Sequence, residues 1–497
     1  MLADHFAERR DPARGVSQQG GGTRPAKGAL VRLSDAKFES KADVVVVGAG
    51  AAGLCAALAA GEGGASTIVF ERDAHALGDT GRSGGTIAAA NTRVQRLQGI
   101  ADSAKKFVAD IVSRTGGAVD RAVAMAVARA SGPTIDWLMD WHGLQFELEV
   151  VSLQGHSMPR AHVRRSETLG TSGLELSRAL QRAASRQGVA VATGHRVISL
   201  VIDSRKTVRG VRVRTSRGRN HDVACGAAVL ASGGFEGNRD LIRRHIPEMA
   251  RGLSFGHPGN RGDSIRWGLE LGTGLCDMGS YQGLGGVVLA SRRSLWMLCM
   301  IGGGFQINSS GARFSNEVRG YSEQAADILA QPGGFVWSIH DARGHQVLHD
   351  FSRYREALAE GDFLQADSCE ELAKMIRVPR DALLATVAEV MDLIAAKRHD
   401  RFGRTFSEHQ PLTPPYYGVK VTGALFHTQG GVAIDATGRV LRRGGQPFAN
   451  LLAAGGAARA LSGPGSSGYL SGCGLTFAVT MGRLAGRTAA NIAKQHR

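Results

Sequence analysis

The chain has 497 residues, 43% of them hydrophobic and 21% charged, with a formal net charge of +16. That is apolar material for two substantial cores, since single domains hold about 100–200 residues, and the sequence contains no run of about 18 apolar residues, which excludes a spanning helix. Lysines and arginines are scattered instead of forming one basic block interleaved with aromatics, so the charge points to solubility and to attraction for an anionic cofactor and substrate, not to nucleic acid.

Residues 1–40, with Glu8-Arg9-Arg10-Asp11 and Gln18-Gln19-Gly20-Gly21-Gly22, lack an apolar stretch long enough for a signal peptide and read as a flexible tail. The chain then reaches Val44-Val45-Val46-Val47, a strand buried on both faces. Gly48, Gly50 and Gly53 follow in G-x-G-x-x-G spacing, with Ala51 and Ala52 opening an apolar helix. Gly48 permits the tight turn, Gly50 lets backbone approach a pyrophosphate, and Gly53 lets the helix pack on the strand. A second strand, 66–70, ends in Glu71 and Arg72; Glu71 lies 23 residues after Gly48, where a carboxylate accepts hydrogen bonds from a ribose. The complete βαβ pattern predicts a dinucleotide cradle.

The loop through Thr80, Ser83, Gly84, Gly85 and Thr86 is too rich in glycine and hydroxyls for a helix interior and suits backbone approach to a flat ring. Residues 101–141 read as helical pieces broken at Gly116-Gly117 and at Gly132-Pro133, with Ile135, Leu138 and Met139 facing a core and Trp137 and Trp141 packing. In 155–165 two histidines and three arginines (His156, Arg160, His162, Arg164, Arg165) sit beside turn formers, a pattern that fits either an anion-holding cleft or a solvated basic loop. Alternation over 189–223 predicts a β-meander leading into the strand 227–231, closed by Ser232, Gly233 and Gly234. Asp263 opens a helix through Trp267 after another glycine turn; near the far end, a short strand closes on Gly455-Gly456, and Gly474 and Leu475 begin an apolar helix. The six cysteines, far apart and without C-x-x-C spacing, read as reduced thiols of a cytoplasmic protein.

Taken in order, the strand motif with Glu71, the Thr80–Thr86 loop, the Val229-Leu230-Ala231-Ser232-Gly233-Gly234-Phe235 strand and the terminal Leu452-Ala453-Ala454-Gly455-Gly456 resemble the FAD-contacting motifs of the fumarate reductase/succinate dehydrogenase flavoprotein superfamily over nearly the whole chain. The resemblance implies an α/β fold, a discontinuous Rossmann-like FAD-binding domain (41–280 and 426–497) with an inserted α+β capping or substrate domain (281–425). It also implies noncovalent FAD, because Arg82-Ser83-Gly84 stands where relatives attach the flavin to a histidine.

The family's catalytic segment resembles Ser310 to Tyr321. Tyr321 stands where fumarate reductases carry a proton-delivering arginine, and Tyr469 where they carry a carboxylate-gripping one; His427 matches the dicarboxylate-binding set. Tyrosines at both places resemble the 3-ketosteroid dehydrogenase branch. This implies Tyr321 as base, Tyr469 as oxyanion donor, and Ser471 with the Gly472 or Gly474 N–H assisting, with Arg313 reaching substrate. An unperturbed tyrosine has a pKa near 10, so such a base needs a polarised substrate and preorganised donors. The expected activity is an FAD-dependent dehydrogenation, or reduction, of a C–C bond next to a carbonyl, with a small-molecule substrate and an external electron acceptor or donor. Two alternatives stay open: a di- or tricarboxylate reductase or dehydrogenase using His427 and the 155–165 segment, and a flavin electron-transfer subunit that needs a partner. A tyrosine beside a turn is also often a packing residue.

Overall fold

The four valines form the end of a strand, Phe38–Val47, in which Val44, Val45 and Val46 have no exposed surface. It pairs in parallel with Thr67–Phe70 on one side and with Asn220–Leu230 on the other, as a doubly covered parallel sheet requires. Thr67–Phe70 continues to Ala190–Ala192, and the predicted meander is present as His195–Ile202, Val208–Thr215 and Asn220–Leu230. Asn220–Leu230 changes partners along its length, pairing with the meander first and with Pro447–Ala453 at its end. The computed structural model describes residues 28–149, 155–164, 172–406 and 410–495.

The glycine motif is a steric necessity here. Gly48 has φ +102°, and a Cβ on it would lie 2.4 Å from the Ala231 carbonyl oxygen; one on Gly53 would lie 1.9 Å from the Gly48 oxygen. The helix Ala51–Glu62 is buried from Ala51 through Ala60, because the C-terminal helix Cys473–Gln495 lies along it. Added Cβ atoms on Gly482 and Gly486 would meet the Ala52 and Ala56 oxygens at 2.4 and 2.1 Å.

A second sheet is organised on the strand Tyr416–Thr428, which pairs with Tyr281–Val288, Phe335–His340, Phe363–Ala366 and Leu253–Ser254. The helix Tyr321–Leu329 packs on two of these strands where Gly283 and Gly423 allow contact with its backbone. Beside this sheet, Glu317 receives Arg313 Nε at 2.8 Å and Arg404 Nη1 at 3.0 Å, with all three side chains out of solvent. Burial alone would raise the Glu317 carboxyl; the two guanidinium groups hold it below its usual range.

Several expectations change. Residues 28–40 are not tail: Leu30–Arg32 pairs in parallel with Leu200 to Ile202, and Phe38 already belongs to the central strand, while 1–27 lie outside the described residues. The helix Arg121–Asp140 runs through Pro133 without a break. At that point Gly132 brings the helix against the backbone of Ala90 and Asn91, where a Cβ would be 2.3 Å from an oxygen. Trp137 packs and donates to Glu62 at 2.8 Å, whereas Trp141, at the helix end, is 76% exposed.

Three residues of the basic segment, His156, Arg160 and His162, are built into the interior. Arg160 has no exposed surface; its Nε and Nη2 bond Asp102 at 2.6 and 2.8 Å, and its Nη1 pairs with Asp110. His162 is buried with Nε2 2.8 Å from Thr92 Oγ1, and Arg165 lies outside the described residues. Burial lowers His156 to about 4.

Gly486→Val is expected to force the two helices apart at a cost of about 1–3 kcal/mol, read as a lower thermal unfolding midpoint; an unchanged midpoint would contradict the close helix contact. Because the folded His156 pKa lies below the unfolded value, its stabilisation is complete above about 6.5 and declines as pH falls toward about 4. From pH 7 to pH 5 this amounts to about 2 kcal/mol. His156→Gln, which retains a donor, should therefore show a shallower loss of melting temperature over that interval than the wild type.

Candidate functional site

A cavity of about 850 Å³ runs between the two sheets, over the C-terminal ends of the parallel strands. One end is the predicted cradle. Gly48, Gly50, Ala51 and Ala52 line it at the start of the first helix, whose early N–H groups have no intrahelical acceptor. Ala51 N–H is held by Thr80 Oγ1 at 3.0 Å, which fixes the next loop against the helix. That loop lines the cavity through Ser83, Gly84 and Gly85, and shapes itself by Ser83 Oγ donating to the Thr80 oxygen at 2.8 Å. Gly53 does not line the cavity; its work is the contact with Gly48.

Glu71 accepts from Ala49 N–H at 2.9 Å through Oε2 and from Asp73 N–H at 2.9 Å through Oε1, placing its carboxylate at the wall. Arg72 donates to the Gly259 oxygen at 2.6 Å and pairs with Asp73, and Asp263 pairs with Arg196 at 3.2 Å. Ser232, Gly233, Gly455 and Gly456 complete this end. The hydroxyl of Ser232 is buried with no hydrogen-bond partner among the described residues. An orphaned hydroxyl, a helix start with only its first N–H taken by Thr80 and a wall of glycines fit a dinucleotide whose polar atoms take up these groups.

At the other end the structure brings together Tyr321, Tyr469, Ser471, Gly472, His427 and Gly474, with Leu475 beside them. Tyr321 is the first residue of its helix, and its hydroxyl lies 3.0 Å from Ser471 Oγ. Burial pushes the Tyr321 phenol up to about 12, with the Ser471 hydroxyl pulling the other way. Tyr469 is raised well above the ordinary range by burial and then by the neighbouring Tyr321 phenol. His427 stands opposite Gln282 in the strand pair, its ring 5.6 Å from that of Tyr469. Burial lowers its pKa, and Gln429 Nε2 donates to its Nδ1 at 2.7 Å, leaving Nε2 as the N–H of a neutral ring.

Arg313 is the correction at this site. It was expected to reach substrate, yet it does not line the cavity, because Glu317 and Asp400 take its guanidinium in the interior beside the second sheet, the Asp400 contact at 2.6 Å. Arg114, outside the expected set, and His156, from the basic segment, instead hold the backbone of the Tyr469–Ser471 turn. Arg114 donates through Nε to the Tyr469 oxygen at 2.9 Å and pairs with Glu323, two residues beyond Tyr321. His156 Nε2 lies 2.8 Å from the Ser471 oxygen. His156 stood in the sequence as a member of the basic cluster, read as an anion-holding cleft or a solvated loop and not as a support for the turn; Arg114 ends an ordinary amphipathic helix and carried no signal.

The FAD binding domain family matches residues 43–476 of the chain. A probable fumarate reductase of Shewanella frigidimarina (strain NCIMB 400) is 30% identical over 455 residues, spanning 90% of this chain and 75% of that protein. The structure is similar to the open conformation of a flavocytochrome c3 fumarate reductase, with a TM-score of 0.78 and 28% identity over 92% of this chain and 79% of that one. It shares its fold with 3-ketosteroid-delta4-(5alpha)-dehydrogenase from Rhodococcus jostii RHA1, at TM-score 0.74 and 24% identity over 91% and 98% of the two chains. The chain belongs to the FAD-binding family that contains the fumarate reductases, and it is an FAD-dependent oxidoreductase acting on CH–CH groups.

Proposed function

We propose that this oxidoreductase forms or reduces a C–C double bond adjacent to a ketone, with a 3-ketosteroid-like substrate and noncovalent FAD. The observation that supports it is the Tyr321 hydroxyl 3.0 Å from Ser471 Oγ, on the same cavity as Tyr469 and the start of the C-terminal helix. When bound, FAD accepts or supplies the hydride of the CH–CH bond.

Tyr469 and the backbone N–H groups at Gly472 and Gly474 hold the ketone oxygen, where enolate charge develops in the transition state. Tyr321 exchanges the proton of the carbon next to that ketone, and Ser471 orients its hydroxyl. A phenol raised to about 12 is protonated at neutral pH. Forming its phenolate there costs about 7 kcal/mol, so the proton moves only as the ketone oxygen is stabilised; in the reductive direction the same phenol is a ready donor. An external acceptor or donor completes the cycle. Six cysteines without a disulfide suit a reducing compartment such as the cytoplasm.

A carboxylate substrate gripped by Arg313 or by Arg160 is disfavoured, because both guanidinium groups are already spent on buried carboxylates. Purified holoenzyme mixed anaerobically with a 3-ketosteroid should lose its flavin absorbance. Tyr321→Phe should slow that bleaching about a hundred- to ten-thousandfold with flavin retained. Bleaching by succinate or tricarballylate alone would overturn the ketone reading.

A further inference from the structure

The wall that the second domain gives to the cavity is apolar and aromatic: Leu284, Trp296, Met297, Ile301 and Phe351, with Trp296 6.0 Å from the Tyr321 ring. Within that wall stands a single formally charged side chain, Arg353. It is the second residue of the helix Ser352–Ala359, a position where the helix dipole disfavours a cation, so helix stability does not account for it. Nor does pairing. The carboxylates farther along the same helix, Glu356 and Glu360, are both taken by Arg293, and Arg353 has no ion pair or hydrogen bond among the described residues. Burial accordingly lowers its pKa, against a partial offset from Glu356. The other arginines on the cavity belong to the cradle side: Arg72 and Arg196 are paired with Asp73 and Asp263, and Arg82 is exposed to solvent.

A half-buried guanidinium without a partner, set in an aromatic wall that opens at the 41% exposed Ile301, has a cost that a bound anion repays. We propose that Arg353 is a specificity-determining residue that binds a carboxylate on the substrate. The substrate class is then an amphiphilic ketone: an apolar body long enough to place its ketone at Tyr321 and Tyr469 and a terminal carboxylate at Arg353. This assignment rests on the ketone reading for the reacting end, whereas the carboxylate contact stands on Arg353 alone.

The test compares a 3-ketosteroid whose side chain ends in a carboxylate with its methyl ester, on the FAD-loaded wild type, Arg353→Gln and Arg353→Lys. In the wild type the acid should have the lower KM. Arg353→Gln should raise the acid's KM about tenfold or more, with the ester's KM and both kcat values shifted far less, and Arg353→Lys should keep part of the preference. High salt should narrow the wild-type difference. Equal KM values for acid and ester in the wild type, or an equal effect of Arg353→Gln on both, would overturn the proposal. Should neither compound bleach the flavin, the ketone reading fails. Equilibrium binding of a saturated steroid carboxylate, followed by perturbation of the flavin spectrum, then decides Arg353 separately: tighter binding by the wild type than by Arg353→Gln supports it, and equal binding overturns it.

Discussion

The contact on which the rest depends is the crowding of backbones around the first helix. A Cβ on Gly53 would sit 1.9 Å from the Gly48 oxygen, and one on Gly486 2.1 Å from the Ala56 oxygen. Strand, first helix and C-terminal helix are thereby locked at distances that only glycine permits. The lock does more than shape the cradle. The C-terminal helix begins at Cys473, directly after the turn that carries Tyr469, Ser471 and Gly472, so the packing that fixes the dinucleotide end also fixes that turn. One rigid joint thus sets the separation between the two ends of the cavity.

The opposite half of the site arrives on a different element. Tyr321 begins a helix that packs on the second sheet, and the spine of that sheet, Tyr416–Thr428, runs on until it delivers His427 to the cavity beside Tyr469. The Tyr321 to Ser471 hydrogen bond and the Arg114 to Glu323 ion pair therefore both cross between the second sheet and the cradle side. A phenol raised by burial and the hydroxyl it bonds meet only where these two halves are seated together, which couples their geometry to the packing of the second sheet against the cradle side.

How much of this was legible follows from the range of the forces involved. The cradle was written locally: four valines, three glycines at fixed spacing and Glu71 each answer to neighbours in one βαβ unit, and the structure places them accordingly. The meander and the glycine-ended strands were legible for the same reason. What local pattern missed was set by distant partners. Gly132-Pro133 was read as a helix break, yet the helix runs through it, with Gly132 set against the Ala90 backbone. Leu30–Arg32 looked like tail because three residues have no periodicity; their order comes from a strand about 170 residues later. Trp141 has helical spacing from Trp137 yet falls just beyond the helix end, where nothing covers it.

The arginines make the same point most sharply. Arg160, Arg313 and Arg353 are indistinguishable as residue types, and the first two stood in segments that resembled binding loops. In the fold, Arg160 meets Asp102 and Asp110, and Arg313 meets Glu317 and Asp400. A buried guanidinium with its carboxylates in place has its desolvation offset inside the protein and has no strong drive to bind an anion from outside. Arg353, which no motif singled out, is left on an aromatic wall with that offset missing. Whether a guanidinium is spent inside the protein is a property of the whole chain's pairing, which cannot be read at any single position.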